Sequence, residues 1–211
     1  MSAEPIITVE SLALERNHRL LLAPTDFSLE TGEALHIQGS NGSGKTTLFR
    51  LLMGLLQPTQ GEISFRGQSI AQCRHSYLSE LLFIGHRAAI KETLTVEENL
   101  RWLSPNPLSP DQVRAALSAV ELDNYVDIPC RQLSAGQRRR VALARLINSK
   151  VKLWYLDEPL AALDKQGMAV VEQCMQSHLQ VGGSIIFSSH QDLAQTATRN
   201  YNLTAEGSAR D

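Results

Sequence analysis

Cysteine is scarce in this chain: Cys73, Cys130 and Cys174 are the only three, and they lie far apart. An odd count without a Cys-x-x-Cys or Cys/His zinc spacing argues against a disulfide framework and against a structural zinc site. The three read as structural thiols in a reducing compartment. Long apolar runs are also missing; none approaches the ~20 residues a helix needs to span a bilayer. The start, Met1-Ser2-Ala3-Glu4-Pro5, has no basic region leading into an apolar segment, so no signal peptide is expected. The expected location is cytosolic unless a partner holds the chain at a membrane. An excess of either sign of charge is missing, 20 Lys and Arg standing against 22 Asp and Glu for a net value of −2, which leaves no footprint for general nucleic-acid binding. The one basic run, Arg138-Arg139-Arg140, abuts an apolar helical pattern and reads as a solvated helix face, with a polyanion or lipid contact as the alternative.

What is present suits a soluble globular protein. The 211 residues, 43% apolar and 20% charged, fit one domain with lobes and a sizeable core. Ile6–Val9, Asp26–Glu30 and Ala34–Ile37 read as short strands, the last two joined by a hairpin-like turn at Thr31-Gly32-Glu33. Leu48, Leu51, Leu52 and Leu55 recur at helical spacing, predicting a helix over 45–55 that ends near Gly54 and Pro58. Glu62–Phe65 and the Arg66-Gly67 turn continue a β-rich lobe.

The middle, about 87–150, changes character. Thr95-Val96-Glu97-Glu98 predicts a capping box opening one helix. After a proline-rich loop, Ser104-Pro105-Asn106-Pro107-Leu108, Ser109 predicts the cap of another, with Pro110 at its first position and Gln112 at its third. Val113, Ala116, Leu117 and Val120 share one side of it. Strand–helix alternation then returns: Val151–Leu156, Met168–Gln180, Ser184–Ser189. The pattern is an α/β core (about 1–86 and 151–211) with an antiparallel β lobe and a helical subdomain.

Gly39-Ser40-Asn41-Gly42-Ser43-Gly44-Lys45-Thr46 fits G-x-x-x-x-G-K-[ST], directly after a strand and before a helix. Chemistry requires that order. Glycines let successive N–H groups converge on phosphate oxygens, and the helix N-terminus adds about half a positive charge there. Lys45 reaches the β- and γ-phosphates, and the Thr46 hydroxyl, with Thr47 beside it, suits Mg²⁺. A chance match in a chain of this size has odds on the order of one in a hundred. Lys152–Glu158 is an apolar run ending in two carboxylates, which a buried strand delivers to the ligand-binding edge of an open sheet. Asp157 would hold the Mg²⁺ shell, and Glu158 would orient and deprotonate the attacking water.

Leu133-Ser134-Ala135-Gly136-Gln137 opens a further helix, and Ser134 with Gln137 suits a capping box. Following the phosphate loop and preceding Asp157-Glu158, it gives the chain the motif order of ABC (ATP-binding cassette) ATPases, which it closely resembles. The resemblance implies a P-loop NTPase fold, ATP and Mg²⁺ as cofactors, and a homodimer. In it Ser134, Gly136 and Gln137 would face the γ-phosphate held by the opposite subunit. Pro159–Asp164 resembles the D-loop, whose Asp164 would cross the dimer interface. His190, after Ser188-Ser189, matches the switch histidine that contacts the γ-phosphate. Arg16 stands, by offset from Lys45, where the family carries an adenine-stacking aromatic; a guanidinium can stack in its place. His86 stands where a glutamine normally links Mg²⁺ to the helical lobe, and it can still donate to water or phosphate.

The whole chain resembles the ATP-binding subunits of bacterial cytochrome c maturation complexes, the haem exporter ATPases. The resemblance rests on Phe83-Ile84-Gly85-His86 with Ile90-Lys91, on Asp127–Gln137 and on Arg139–Leu146. Arg87-Ala88-Ala89 depart from that family's usual Gln-Pro-Gly. It implies two copies beneath membrane-spanning partner subunits, peripheral on the cytoplasmic face of the cell inner membrane. It also implies an ATP cycle that exports haem or releases a haem-loaded chaperone. The rival readings are an ABC ATPase for another small molecule, and a soluble non-transport ABC protein. The latter usually carries two cassettes or a long coiled coil, and neither is present.

Overall fold

The structure, a computed structural model, describes residues 5–104, 106–191 and 196–204. Met1–Glu4, read above for a leader, and Pro105 of the proline-rich loop lie outside them. In chain order the elements begin with β1 (Ile7–Arg16), β2 (Arg19–Leu29), β3 (Ala34–Gln38), α1 (Lys45–Leu52), β4 (Gln60–Phe65) and β5 (Gln68–Ser69). Next come α2 (Arg74–Ser79), β6 (Leu81–Ile84), α3 (Val96–Leu103), α4 (Pro110–Ala119) and α5 (Ala135–Leu143). The chain closes with β7 (Leu153–Asp157), α6 (Lys165–Gln180), β8 (Ser184–Ser188) and β9 (Arg199–Asn202).

The strands form an antiparallel sheet in the order β2-β1-β4-β5 and a parallel sheet in the order β6-β7-β8-β3-β9. The turn at Thr31-Gly32-Glu33 is therefore not a hairpin. It hands the chain from one sheet to the other. Ala34, Leu35, His36 and Ile37 are all buried, a pattern that suits a strand covered on both faces. The second half of β2 instead alternates buried and half-buried residues. The two faces of the parallel sheet then fill by side-chain parity. Leu153 and Tyr155 of β7 join a core with α1 and the antiparallel sheet, while Trp154 and Leu156 join one with α6.

Both predicted helix starts in the middle are present. Thr95 and Ser109 each accept from the backbone N–H three residues on, and Glu98 and Gln112 return the bond. Val113, Ala116, Leu117 and Val120 are buried together with Val96, Leu100 and Val141, so α3, α4 and α5 share their own small core. The first helix is shorter than its periodicity suggested. It ends at Leu52, and Leu55 is exposed. All three cysteines are free thiols, and burial pushes Cys174 up to about 11. Among the described residues no helix is long and apolar enough to cross a membrane.

His178 on α6 stacks flat against Trp154, ring centroids 3.8 Å apart, and is almost fully buried. Desolvation pushes its pKa down to about 4. The native ring is thus neutral while the unfolded ring takes up a proton below about pH 6.5. Stability is complete above that value and falls as pH drops toward 4. The fall from 6.5 to about 4 amounts to about 3 kcal/mol. Urea unfolding between pH 7 and 4 should show a shallower acid loss for His178→Gln than for the parent. Parallel curves would assign that loss to other groups.

Candidate functional site: a nucleotide cleft

The carboxyl ends of β3, β8 and β7 lie side by side, so the loop after each opens on the same edge of the sheet. After β3 the chain curls through Gly39–Gly44 before entering α1. Gly44 caps that helix in the left-handed region (φ +102°), and a Cβ there would lie 2.8 Å from the Leu21 carbonyl oxygen. At Gly39 (φ +153°) a Cβ would lie 2.6 Å from the Leu203 carbonyl oxygen. No larger side chain fits either place without moving backbone. The helix receives no side-chain cap, so its first N–H groups are left for another acceptor. Lys45 Nζ donates to the carbonyls of Gly39 (2.6 Å) and Ser40 (3.2 Å), which folds the ammonium over the loop. The Ser43 hydroxyl is buried without a hydrogen-bond partner.

Strand β7 delivers the carboxylates. Asp157 is buried; its Oδ1 accepts from Ser188 Oγ (2.8 Å) and its Oδ2 from Thr46 Oγ1 (3.4 Å). The phosphate loop and the strand end therefore meet at one pair of oxygens. Glu158 has the left-handed φ of +52°, sparsely populated for a residue with a side chain. Its N–H donates to the carbonyl and the hydroxyl of Ser188, at 3.2 and 3.1 Å. Its Oε2 accepts from the His190 N–H (3.2 Å), and His190 Nε2 lies 3.5 Å from Oε1. Oε1 is buried with no hydrogen bond of its own.

The glycine loop and the end of β7 meet at a cleft of about 580 Å³, with Gly39, Ser40 and Ser43 outside its lining; the size is within the ordinary range for small-ligand sites. Asn41, Gly42, Gly44, Lys45, Thr46, Thr47, His86, Asp157, Glu158 and His190 all face it. The lining suits a triphosphate with Mg²⁺: glycine-loop amides and an ammonium for the phosphates, hard oxygens of Thr46 and Asp157 for the cation. His86 lines the same cleft.

Arg16 does not line the cleft; Arg19, Leu20 and Leu21 do. Asn17 and His18 both have positive φ, forming a two-residue reversal, and Arg16 pairs across it with Arg19. The residues of this hairpin that reach the cleft are therefore on the strand leaving the turn. Leu20, half-exposed at 49%, offers an apolar contact there.

Ser134, Gly136, Gln137 and Asp164 also lie outside that lining. Ser134 Oγ accepts from the Gln137 N–H (3.2 Å) while Gln137 Oε1 accepts from the Ser134 N–H (2.9 Å), so the capping box is real. A Cβ at Gly136 would stand 3.1 Å from the Ala162 carbonyl oxygen, packing the start of α5 against the loop after Glu158. Asp164 is engaged within its own chain. It caps α6 through the Gly167 N–H (2.9 Å) and pairs with Arg140 (2.7 Å).

The basic run is not a solvated face. Arg138 is partly exposed beside Glu92, Arg140 is clamped by Glu121 and Asp164, and Arg139 is 96% buried, showing only 4% of its surface. Sequence reasoning missed Arg139 because a charge run gives no sign that carbonyl acceptors wait inside.

The ABC transporter family profile matches residues 22–161. The chain belongs to that family. It is an ATP-binding, ATP-hydrolysing subunit of ABC type, in an α/β P-loop NTPase fold. The cytochrome c biogenesis ATP-binding export protein CcmA of Pseudomonas putida (strain KT2440) is 52% identical over 184 residues, 86% of this chain and 88% of its own. The protein of the same name from Escherichia coli (strain UTI89) is 44% identical over 206 residues, 97% and 99% of the two chains. Among solved structures, an ATP-binding subunit of an ABC transporter superimposes with TM-score 0.85 at 23% identity, over 97% of this chain and 88% of that one. The cassette MJ0796, a dimer in a post-hydrolysis state bound to ADP and Pi, gives TM-score 0.82 at 21% identity over 97% of each.

Proposed function

We propose that this ABC ATPase serves c-type cytochrome biogenesis, as the names of its relatives describe, by exporting haem or by releasing a haem-loaded chaperone. The observation that carries this reading is 52% identity to one such protein across most of both chains. Two copies would work together, docked on membrane-spanning partner subunits at the cytoplasmic face of the inner membrane. What supports the pairing is the separation within one chain. Lys45, Asp157 and Glu158 line the cleft, and the helix led by Ser134 does not. Its amino end would complete the site of a second copy, where the helix dipole and the first-turn N–H groups not taken by the Ser134–Gln137 box suit an anion.

Within each site the glycine loop would hold the triphosphate, with Thr46, Asp157 and His86 around Mg²⁺. That cation supplies charge neutralisation on the phosphates. Glu158 would take the proton of the attacking water, and His190 would steady its carboxylate. Deleting the gene and measuring holo-cytochrome c is the direct test. Loss of covalent haem attachment, restored by the parent gene and not by a Glu158→Gln copy, is the expected result. Normal cytochromes would leave an ABC ATPase for another small molecule.

A further inference from the structure

Arg139 stands out as a buried cation that reaches across from the helical part of the molecule into the catalytic edge of the sheet. It belongs to α5, five residues after Ser134. Its guanidinium bonds no carboxylate. Nη1 donates to the Gly85 carbonyl (2.5 Å), and Nη2 donates to the carbonyls of Glu158 (2.7 Å) and Asp157 (3.3 Å). Gly85 follows β6 and immediately precedes His86. Asp157 and Glu158 end β7, which pairs with β6 in parallel. One side chain thus ties together two neighbouring strand ends and the helix that starts at the signature serine.

Burial pulls the Arg139 pKa down, and the nearby charges of Asp157 and Glu158 act the other way. A fully buried charge of this kind is strongly held only where its donors are satisfied. Here Nη1 and Nη2 find backbone carbonyls of Gly85, Asp157 and Glu158, while the buried Nε has no partner. Glu158 adopts a left-handed φ that its side chain disfavours. Its N–H is pinned by Ser188 and its carbonyl by Arg139. Both ends of this unusual peptide are therefore fixed, one from β8 and one from α5.

We propose that Arg139 is a positioning residue for the hydrolytic carboxylate: it fastens Glu158 and the His86 segment to α5, so that the carboxylate is aligned only when the signature helix is seated. This rests on the reading of Glu158 as the proton acceptor. The fork is what matters. A guanidinium spans two acceptors held apart on adjacent strands, and a lysine ammonium reaches one of them.

The test compares Arg139→Met and Arg139→Lys, each alone and combined with Glu158→Gln, in the full chain. Methionine keeps an apolar chain of similar length but leaves the carbonyls of Gly85, Asp157 and Glu158 without their donor, so it removes the tie altogether. Turnover under saturating ATP should fall roughly 10-fold or more in either single variant, the range for a displaced proton acceptor. ATP affinity should stay within about twofold, since no phosphate-binding group is touched. Added to Glu158→Gln, either substitution should slow the residual turnover less than about twofold, because its effect runs through a group already disabled.

Equal losses in both backgrounds would overturn the proposal, as would a loss of affinity matching the loss of rate. A purely structural arginine predicts that pattern. If Arg139→Met does not fold, Arg139→Lys carries the same comparison, and full activity in it would also overturn the proposal. Should Glu158→Gln alone retain normal turnover, the reading of Glu158 fails instead, and Arg139 is then judged from its single variants.

Discussion

Glu158→Gln is expected to bind ATP with parent affinity and to hydrolyse it at least ~100-fold more slowly, the effect of losing a general base. The substitution is nearly isosteric. The N–H bonds to Ser188 and the carbonyl bond from Arg139 involve backbone and are left in place. What changes is the side-chain terminus. Oε2 accepts from the His190 N–H and Oε1 lies 3.5 Å from His190 Nε2, so the native carboxylate is held beside the cleft. An amide in its place cannot accept the proton of water. Phosphate release under saturating ATP and equilibrium nucleotide binding separate the two effects. Turnover within a few-fold of the parent would mean that the proton goes elsewhere, and His190, 3.5 Å away, would be the next group to replace.

The same variant tests the two-copy site. With hydrolysis blocked, ATP should accumulate between subunits, and the protein should run at twice its monomer mass only in the presence of ATP and Mg²⁺. A monomer saturated with ATP, its Ser134 remote from nucleotide, would refute the shared site.

The parts that were legible from residues alone are those whose chemistry fixes an order along the chain. A glycine loop must follow a strand and open a helix, and the Thr46–Asp157 contact shows why an acidic strand end belongs with it. Capping boxes were legible for a similar reason: the reciprocal bonds at Thr95, Ser109 and Ser134 need particular residue types three apart. Less visible was anything decided by partners distant in sequence. The turn at Thr31-Gly32-Glu33 has the same local chemistry whether its flanking strands pair or part. Only the burial of His36, stacked on Phe187, marks β3 as interior. The short α2 and β6 carry too few residues for a periodicity to emerge.

Arg16 lies outside the cleft lining and Arg139 lies inside the fold, and the sequence announces neither. Counting back from Lys45 locates a position to within a turn, yet the reversal at Asn17-His18 exchanges one strand for its neighbour. Arg139 is hidden because hydrophobic pattern treats charge as surface. A guanidinium whose two terminal nitrogens find carbonyls can lie inside even with Nε unpaired, and nothing local announces the acceptors.

Lys45→Ala is expected to remove productive ATP binding, with affinity falling at least ~100-fold as charge-assisted bonds to phosphate are lost. The cleft's only other lysine or arginine among the described residues is Arg19, on the strand edge. Lys45 rises from the first turn of α1, where the helix amides already face the same space, so its loss leaves the glycine loop itself with neutral donors alone. In the structure its ammonium rests on the carbonyls of Gly39 and Ser40. Alanine therefore frees two loop carbonyls as well, and melting without nucleotide should fall slightly. The decisive comparison is the shift that nucleotide produces. At 100 times the parent's Kd, ATP should stabilise the parent by about 2.7 kcal/mol and the variant by almost nothing. AMP, which lacks the outer phosphates, should bind both chains alike. An ATP shift preserved in Lys45→Ala would place the triphosphate away from this loop, and the assignment of the whole cleft would fall with it.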